Sequence, residues 1–492
     1  NEDDIVSAYN SFSLNRGSDG VIITASTQSN DVIKQAAHIS RKRGKIILVG
    51  VVGLDIDRDD FYEKELTFQV SCSYGPGRYD SFYEEKGHDY PYAFVRWTEQ
   101  RNFEAILSML SSGTINFKGL ISKSFLFEDA VDAYDYLNKS KDALGIIINY
   151  TSDENNRKKE SVQINNNSFI KTDPIIGFIG CGNYASRVLI PAFKKSNAQL
   201  HTISSQGGVS SKINSKKYNF AYSTSNTKAL LKNNEINTVV VTTRHNSHSS
   251  FVIKALKNNK NVWVEKPLSL TADELDDVIK VYKSCQKDDS RKSPQLMIGF
   301  NRRFAPHIRK IKSLLSSKDY EKKSILITVN AGKIPSDNWI QDKAVGGGRI
   351  LGEGCHFIDL IRFIGGSKIT SVSTNKMDCI ENLNDNVSIS VRLENGSIGT
   401  ILYLSNGASS YQKEQVEIFT NGKVLKLDNY KTLYGYGWKN FRKMSLFKQD
   451  KGQNACVQEF VNSIKSGKAC IHPDDIFEVS KWSIEASKSA QQ

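Results

Sequence analysis

The amino-acid sequence predicts an α/β protein: a doubly wound parallel sheet, then an α+β domain with a large, mostly antiparallel sheet, all preceded by an incomplete parallel α/β segment. Three observations predict it. The stretch GFIGCGNYA (Gly177–Ala185) puts glycine-rich turn spacing directly behind an apolar run. Apolar β-branched runs alternate with helical patterns on both sides of that stretch, to about residue 300. After residue 324 the hydrophobic period shortens to two. At 492 residues the chain exceeds one ordinary core, so several domains are expected.

Residues 1–150 alternate strand and helix. DGVIITAST (Asp19–Thr27) reads as a buried strand, DVIKQAAHISRKRG as an amphipathic helix ending at Gly44, and KIILVGVVG and LTFQVSCSYG (Leu66–Gly75) as two further strands. Helical patterns follow in TEQRNFEAILSMLSSG and FEDAVDAYDYLNKS, then the strand GIIINY. Near-continuous apolar runs of this kind predict a parallel sheet covered on both faces. The polar stretch Thr151–Asp173 lacks hydrophobic periodicity, and residues 151–172 read as a linker.

The pattern restarts at PIIGFIG, and residues 173–300 read as a complete Rossmann domain, with residues 301–492 as a second domain. Gly180, Gly182 and Ala185 have GxGxxA spacing. The first glycine permits the tight turn, the second lets the backbone approach a pyrophosphate, and the small third residue lets helix and strand pack closely. The helix that follows, beginning at Asn183 and Tyr184, points its amides at the phosphates. The next strand, QLHTISS, ends at Ser204, Ser205 and Gln206, where a site selective for NAD offers an acid. With no acid and no following arginine, NAD and NADP both stay open; Lys212, Lys216 and Lys217 lie a few residues on. TVVVTT ends in Thr242, Thr243, Arg244, His245, Asn246 and His248, and NVWVEKP in Glu265, Lys266 and Pro267. Ligands of open parallel sheets bind at the carboxyl ends of the strands, so both clusters are expected in one crevice.

GFIGCGNYA, TRHNSH and VEKP, in this order and spacing, resemble the Gfo/Idh/MocA oxidoreductase family over residues 173 to about 490. The resemblance implies that Lys266 lies beside the nicotinamide and the reacting hydroxyl as the catalytic group, with Pro267 fixing its backbone and Glu265 orienting the lysine or the ribose. In that family a glycine pair precedes Asp-x-x-x-His in the substrate pocket. Here GGGRILGEGCHFIDL (Gly346–Leu360) supplies His356, a second catalytic candidate, but has Gly352 at the aspartate position with Glu353 beside it. Either Glu353 supplies the carboxylate, or a proton relay runs through Lys266 and His356 alone. Asp359, three residues after His356, faces the same side of a helix. Asn301, Arg302 and Arg303 are candidates for substrate hydroxyls or phosphate, with an interdomain salt bridge as the alternative for one arginine. Trp339 is a sugar-stacking platform or core.

Through DGVIITAS, RKRGKIILVG and ISKSFLFEDAVDAYDYL, residues 1–150 resemble the second half of the nucleotide domain of medium-chain, zinc-type alcohol dehydrogenases. The first strand and glycine-rich turn of such a domain are expected before Asn1, where the start at Asn rather than Met suggests a trimmed chain. This block is therefore expected to be structural. The combination resembles bi-domain oxidoreductases of the Gfo/Idh/MocA family.

Composition bounds the function. The net charge of +13 is spread along helical faces, with no basic run interleaved with aromatics, which argues against nucleic acid and leaves a solvated basic surface or an anionic sugar. No apolar run approaches the length of a membrane span. Seven cysteines without a CxxC pair indicate neither a disulfide framework nor a zinc site, so no metal and a reducing cytoplasm are expected. Beyond residue 324, SILITVNAG, KITSVSTN, NVSISVRLENGSIGTILYLSN and QVEIFTNGKVLKL read as strands, with hairpin turns at Asn395-Gly396 and Asn421-Gly422. An open sheet of this type suits a homo-oligomer. The leading expectation is an NAD(P)-dependent oxidoreductase acting on a hydroxyl of a sugar, cyclitol or nucleotide sugar. Its rivals are a lyase or epimerase that retains its cofactor, and a non-catalytic nucleotide-binding sensor.

Overall fold

The computed structural model describes residues 4–150, 159–286, 293–316, 322–378 and 385–490. The chain divides into two compact units, Asn1–Arg157 and Lys158–Gln492. Among the described residues, no helix is long and apolar enough to cross a membrane.

In the first unit β1 (Ser18–Ile23), β2 (Ser40–Leu48) and β3 (Thr67–Val70) form a parallel sheet, and β4 (Ile121–Leu126) pairs in parallel with β5 (Gly145–Asn149). The helix expected to run to Gly44 ends at Ile39, and Ser40–Arg43 open β2 instead. The ammonium of Lys64 donates to the carbonyls of Ala37, His38 and Ser40 at 2.7–3.1 Å, which satisfies the helix end there. Coverage of both sheet faces is not found among the described residues. Ile23, Ile33, Ala36, Ala37, Ile46, Leu48 and Val52 form a small core under helix Asp31–Ile39, whereas Ile22 is 70% exposed. Helix Glu99–Ser111 buries no residue.

The second unit opens within the stretch expected to be linker. Ser161–Gln163 (β6) pairs antiparallel with β9 (Tyr222–Thr224), which gives this polar segment an edge-strand role; residues 151–158 lie outside the described residues. The other strands of this sheet are β7 (Ile175–Ile179), β8 (Gln199–Ser204), β10 (Thr238–Val241), β11 (Asn261–Val264) and β12 (Leu296–Ile298). The order β12-β11-β10-β7-β8-β9 is fully parallel, with β6 on the edge. This is the doubly wound order, and the direction of winding reverses between β7 and β10.

A second sheet has the order β14-β15-β16-β13-β17-β18-β19-β20. Its strands are β13 (Ser324–Asn330), β14 (Ile369–Lys376), β15 (Val387–Leu393), β16 (Ile398–Leu404), β17 (Glu414–Thr420), β18 (Lys423–Asp428), β19 (Thr432–Tyr436) and β20 (Lys443–Ser445). Only β13 with β16 is parallel. The β17–β18 hairpin closes on Asn421 and Gly422, both at positive φ, as a two-residue turn of this twist requires. The β15–β16 connection at Asn395-Gly396 is longer, with Arg392 facing Ile398. Helix Cys355–Gly365 packs on this sheet, with Ile361 against Gly399, and its Phe357, Ile358 and Ile361 are all at 0% exposure. Helix Gln453–Ser466 packs on Ile190–Lys195, and helix Pro473–Ser489 packs on β14 and on helix Ala272–Gln286. One continuous core therefore joins both layers of this unit.

Candidate active site

The reversal point between β7 and β10 opens into a cleft of about 1580 Å³. Gly180 sits at its floor with φ +99°, where an added Cβ would lie 2.7 Å from the Thr242 backbone. Thr242 donates its hydroxyl to the carbonyls of Ile179 and Gly180 at 3.2 and 3.0 Å, stitching the glycine turn to β10. A Cβ on Gly182 would meet nothing within 4 Å, so the backbone there is bare towards the cleft. Asn183, Tyr184 and Ala185 line the same wall at the start of a π-helical turn, Ala185–Leu189, that runs into helix Ile190–Lys195. At the end of β8 the lining is uncharged: Ser204, Ser205, Gln206 and, from neighbouring elements, Ser225 and Thr227. Lys212, Lys216 and Lys217 are exposed on helix Val209–Tyr218 and do not line the cleft.

Thr243, Arg244, His245, His248, Glu265 and Lys266 all line the cleft, so the two strand-end clusters do converge. His245 Nδ1 lies 2.7 Å from the carbonyl of Gly346, and His248 Nδ1 2.7 Å from that of Pro267. The Lys266–Pro267 bond is cis. Pro267 itself does not line the cleft; its carbonyl is taken up by His248. Burial pushes the Glu265 carboxyl up to about 7 against the opposing pull of Lys266, and Trp263 Nε1 donates to it at 3.2 Å. Burial and the Lys266 ammonium press His245 down to about 3, so its ring is neutral.

The opposite wall comes from the second sheet and its helix. Lys266 Nζ donates to the carbonyl of Gly352, which lies in a π-helical turn, Ile350–Gly354, ahead of helix Cys355–Gly365. Such wide turns re-aim backbone groups and recur at functional sites. His356 is 5% exposed, faces the cleft and has no hydrogen-bond partner at Nδ1 among the described residues. Burial, then Arg302 and Lys266, hold its pKa well below the usual histidine range. Glu353 accepts from Tyr403 Oη at 2.6 Å and from Lys413 Nζ at 2.9 Å. Burial works against its charge, yet Lys413 and the Tyr403 hydrogen bond hold the carboxyl down at about 2. Glu353 is therefore a fixed anion. The Trp339 ring meets His245 edge-on at 4.8 Å within the lining.

Asn301, Arg302 and Arg303 separate. Asn301 lines the cleft while its Nδ2 donates to Lys451 O at 2.7 Å. Arg302 also reaches the cleft, but its fork is spent on Glu414 at 2.8 and 2.9 Å. Arg303 turns the other way and pairs with Asp359 at 2.8 Å, with both side chains buried outside the lining. The expected substrate contacts of Arg303 and Asp359 are therefore replaced by a buried structural ion pair. Arg349, Lys413 and Lys451 complete this wall, and Tyr403 backs it from behind Glu353. Arg349 lies in the glycine-rich run already singled out; the other three come from strands and loops with no local motif.

Residues 175–288 match the model described as the oxidoreductase family, NAD-binding Rossmann fold, and residues 308–424 match the GFO/IDH/MocA C-terminal domain. The chain is 26% identical over 216 residues to the uncharacterized oxidoreductase YrbE of Bacillus subtilis, covering 42% of this chain and 60% of that protein. It is 28% identical over 207 residues to myo-inositol 2-dehydrogenase of Thermotoga maritima, covering 41% and 59%. The chain thus spans about three fifths of the length of these curated relatives. Among solved structures, an oxidoreductase domain protein from Kribbella flavida aligns with TM-score 0.57 and 19% identity, over 65% of this chain and 98% of that one. Levoglucosan dehydrogenase in complex with NADH and levoglucosan aligns with TM-score 0.56 and 18% identity, over 64% and 97%; at these identities the likeness concerns the fold. The strand order and the glycine turn agree with both model matches, so residues 175–288 and 308–424 are similar to the N-terminal NAD-binding domain and the C-terminal domain of the Gfo/Idh/MocA oxidoreductase family.

Proposed function

We propose that this protein is an NAD(P)-dependent oxidoreductase that moves a hydride between a nicotinamide ring and a hydroxyl-bearing carbon of a sugar, cyclitol or nucleotide sugar. The observation that carries the reading is the position of Lys266. It stands at the carboxyl end of β11, in the same cleft as the glycine turn, and reaches across to the Gly352 and His356 wall.

The residues present fit a dinucleotide, because the open space over Gly182 lets a pyrophosphate meet bare backbone. Gly180, Gly182, Asn183, Tyr184 and Ala185 would hold the pyrophosphate, Ser205 the adenosine ribose, and Thr243, Arg244 and Glu265 the nicotinamide half, with His245 beside them where the cofactor and substrate ends of the cleft meet. When bound, the nicotinamide supplies the hydride acceptor or donor. Lys266 exchanges the hydroxyl proton and stabilises developing negative charge on the substrate oxygen. His356, kept neutral by its burial, offers a second group to that oxygen. Glu353, locked by Tyr403 and Lys413, maintains a negative field opposite Lys266 without trading protons. Asn301 and Trp339 shape the substrate end. The named activities of the inositol and levoglucosan relatives favour a neutral polyol.

Purified protein assayed with NAD and NADP against myo-inositol, levoglucosan and nucleotide sugars tests this reading. Lys266→Ala is expected to lower kcat by about 10²–10⁴-fold. Unchanged turnover in that variant removes the mechanism. Cofactor that stays bound with no net reduction during turnover assigns the site instead to a lyase or epimerase reaction. Cofactor binding without turnover on any substrate assigns it to a sensor.

Residues 1–150 fit a dehydrogenase-like α/β segment with a structural role: the seven residues between β1 and helix Asp31–Ile39, Thr24–Asn30, contain no glycine. The open face of the second sheet suits a homo-oligomer.

A further inference from the structure

Gly352 is where a side chain is missing from the cleft wall, and His245 occupies the vacated room. A Cβ built on Gly352 would lie 3.0 Å from His245 Cε1, closer than carbon atoms normally pack, and in ordinary contact with Nδ1 at 3.6 Å. The ring is held in place by the Gly346 carbonyl at 2.7 Å from Nδ1 and by the indole edge of Trp339. The backbone N–H of Asn246 also bonds Val345 O at 3.1 Å, tying the His245 turn to the glycine-rich run. A carbonyl only accepts, so Nδ1 carries the proton and Nε2 carries the lone pair. His245 is 7% exposed and lines the cleft beside Lys266 and His356, yet its Nε2 has no hydrogen-bond partner among the described residues.

We propose that Nε2 of His245 is a hydrogen-bond acceptor for a hydroxyl of the bound substrate, and that Gly352 exists to admit the ring. The inference rests on the polyol oxidoreductase reading above and narrows it: this subsite takes a neutral hydroxyl and disfavours a carboxylate or phosphate, since two acceptors repel. The ring keeps that character at ordinary pH, because burial and the neighbouring Lys266 oppose its protonation. A buried acceptor left unpaired by a deoxy analogue penalises that analogue heavily.

Two amide replacements separate the roles of the two ring nitrogens. His245→Gln extends an amide to the Nε2 position, whereas His245→Asn reaches only the Nδ1 position and the Gly346 carbonyl. With whichever of myo-inositol, levoglucosan or the nucleotide sugars is turned over, His245→Ala and His245→Asn are expected to raise KM by about 10–100-fold, leaving kcat within a few-fold. His245→Gln is expected to recover most of that loss. Recovery by Asn and not by Gln, or equal behaviour of the two, overturns the inference while leaving the Lys266 mechanism standing. If no polyol is oxidised and Lys266→Ala changes nothing, the functional reading fails and this inference falls with it.

The packing half is tested separately by melting temperature. Gly352→Ala is expected to lower the Tm in the native background and to do so much less in His245→Ala, because removing the ring removes the clash. Equal losses in both backgrounds overturn the pairing of Gly352 with His245.

Discussion

In residues 158–492 the parallel strands are buried to the last atom along their middles: Ile176, Phe178, Val239, Val240, Val262 and Trp263 are at most 1% exposed. In residues 1–157 strands of similar composition behave otherwise, with Ile22 70% and Val70 54% exposed. Hydrophobic strand sequence is common to both units; what differs is the number of helices that return onto the sheet. The strand ends differ too. β10 and β11 stop at Thr-Thr-Arg-His-Asn and Glu-Lys-Pro, whereas β1 and β2 run out into Thr-Ala-Ser and Val-Gly-Val-Val. A crevice able to do proton chemistry needs both a closed core to desolvate its walls and titratable groups at the strand ends, and only the second unit has the two together.

The contrast is broken or sharpened most strongly in the cores. Phe178→Ala, at 0% exposure against Phe193 and Phe220, is expected to cost the second unit about 3–5 kcal/mol. Ile22→Ala is expected to stay within about 0.5 kcal/mol. Urea titrations followed by circular dichroism measure both, and a large cost at Ile22 means that its face is covered in solution. Asp359→Ala belongs with Phe178: it leaves the buried guanidinium of Arg303 with the more distant Asp475, at 3.6 Å, as its remaining carboxylate and is expected to cost about 3 kcal/mol, with little effect on KM in the protein that remains folded. A KM effect exceeding the stability effect returns Asp359 to the substrate pocket.

The Arg303–Asp359 pair also marks where sequence stops being informative. The glycine turn, the TRHNSH cluster and EKP were legible because each is a contiguous run at the end of a buried strand, and strand ends of a parallel sheet share one edge. Arg302 and Arg303 are adjacent in a tight turn, and which one faces the cleft depends on whether its partner is Glu414 or Asp359, more than 50 residues away in either case. Lys413 and Tyr403 had no motif to announce them, since they meet Glu353 only through the register of a sheet closed by long-range pairing. The helix expected to reach Gly44 ended early for the same reason: Lys64, 24–27 residues on, supplies the cap.

A smaller effect is expected from pH, and its sign follows from the buried histidines. His245, His248 and His356 all have pKa values below the ordinary 6.5, with burial the leading cause, so the unfolded chain binds protons that the folded chain refuses. For His245 this contribution to stability is complete above about pH 6.5 and is lost as pH falls towards 3, by roughly 1 kcal/mol per pH unit, and His248 and His356 act in the same direction. Glu265 opposes this in one window: its carboxyl is raised to about 7 from 4.5, so the folded state holds the extra proton and gains stability as pH drops between those values. With His307, whose pKa burial also lowers, four histidines oppose one carboxyl, and calorimetry from pH 7.5 to 5 is expected to show a falling Tm for the second unit. His38 and His88 of the first unit are exposed, so its transition is expected to shift less.

The smallest expected effect is none at all, and it bears on cofactor choice. Lys212, Lys216 and Lys217 are the first cations to follow the ribose end of β8 in sequence, the natural candidates for a 2′-phosphate. Helix Val209–Tyr218 turns all three outward, while Ser205, Gln206 and Ser225 form an uncharged lining in their place. Lys212→Ala is therefore expected to leave the ratio of kcat/KM for NADP and NAD within about twofold, since an exposed charge beyond the lining is screened by water and salt. A selective rise in KM for NADP means that the helix swings its lysines in when the phosphate arrives, and that this end of the cleft is reshaped by binding. An unchanged ratio means that discrimination between the two cofactors rests on hydroxyl and amide groups alone, which favours neither strongly because no fixed charge meets the phosphate or repels it.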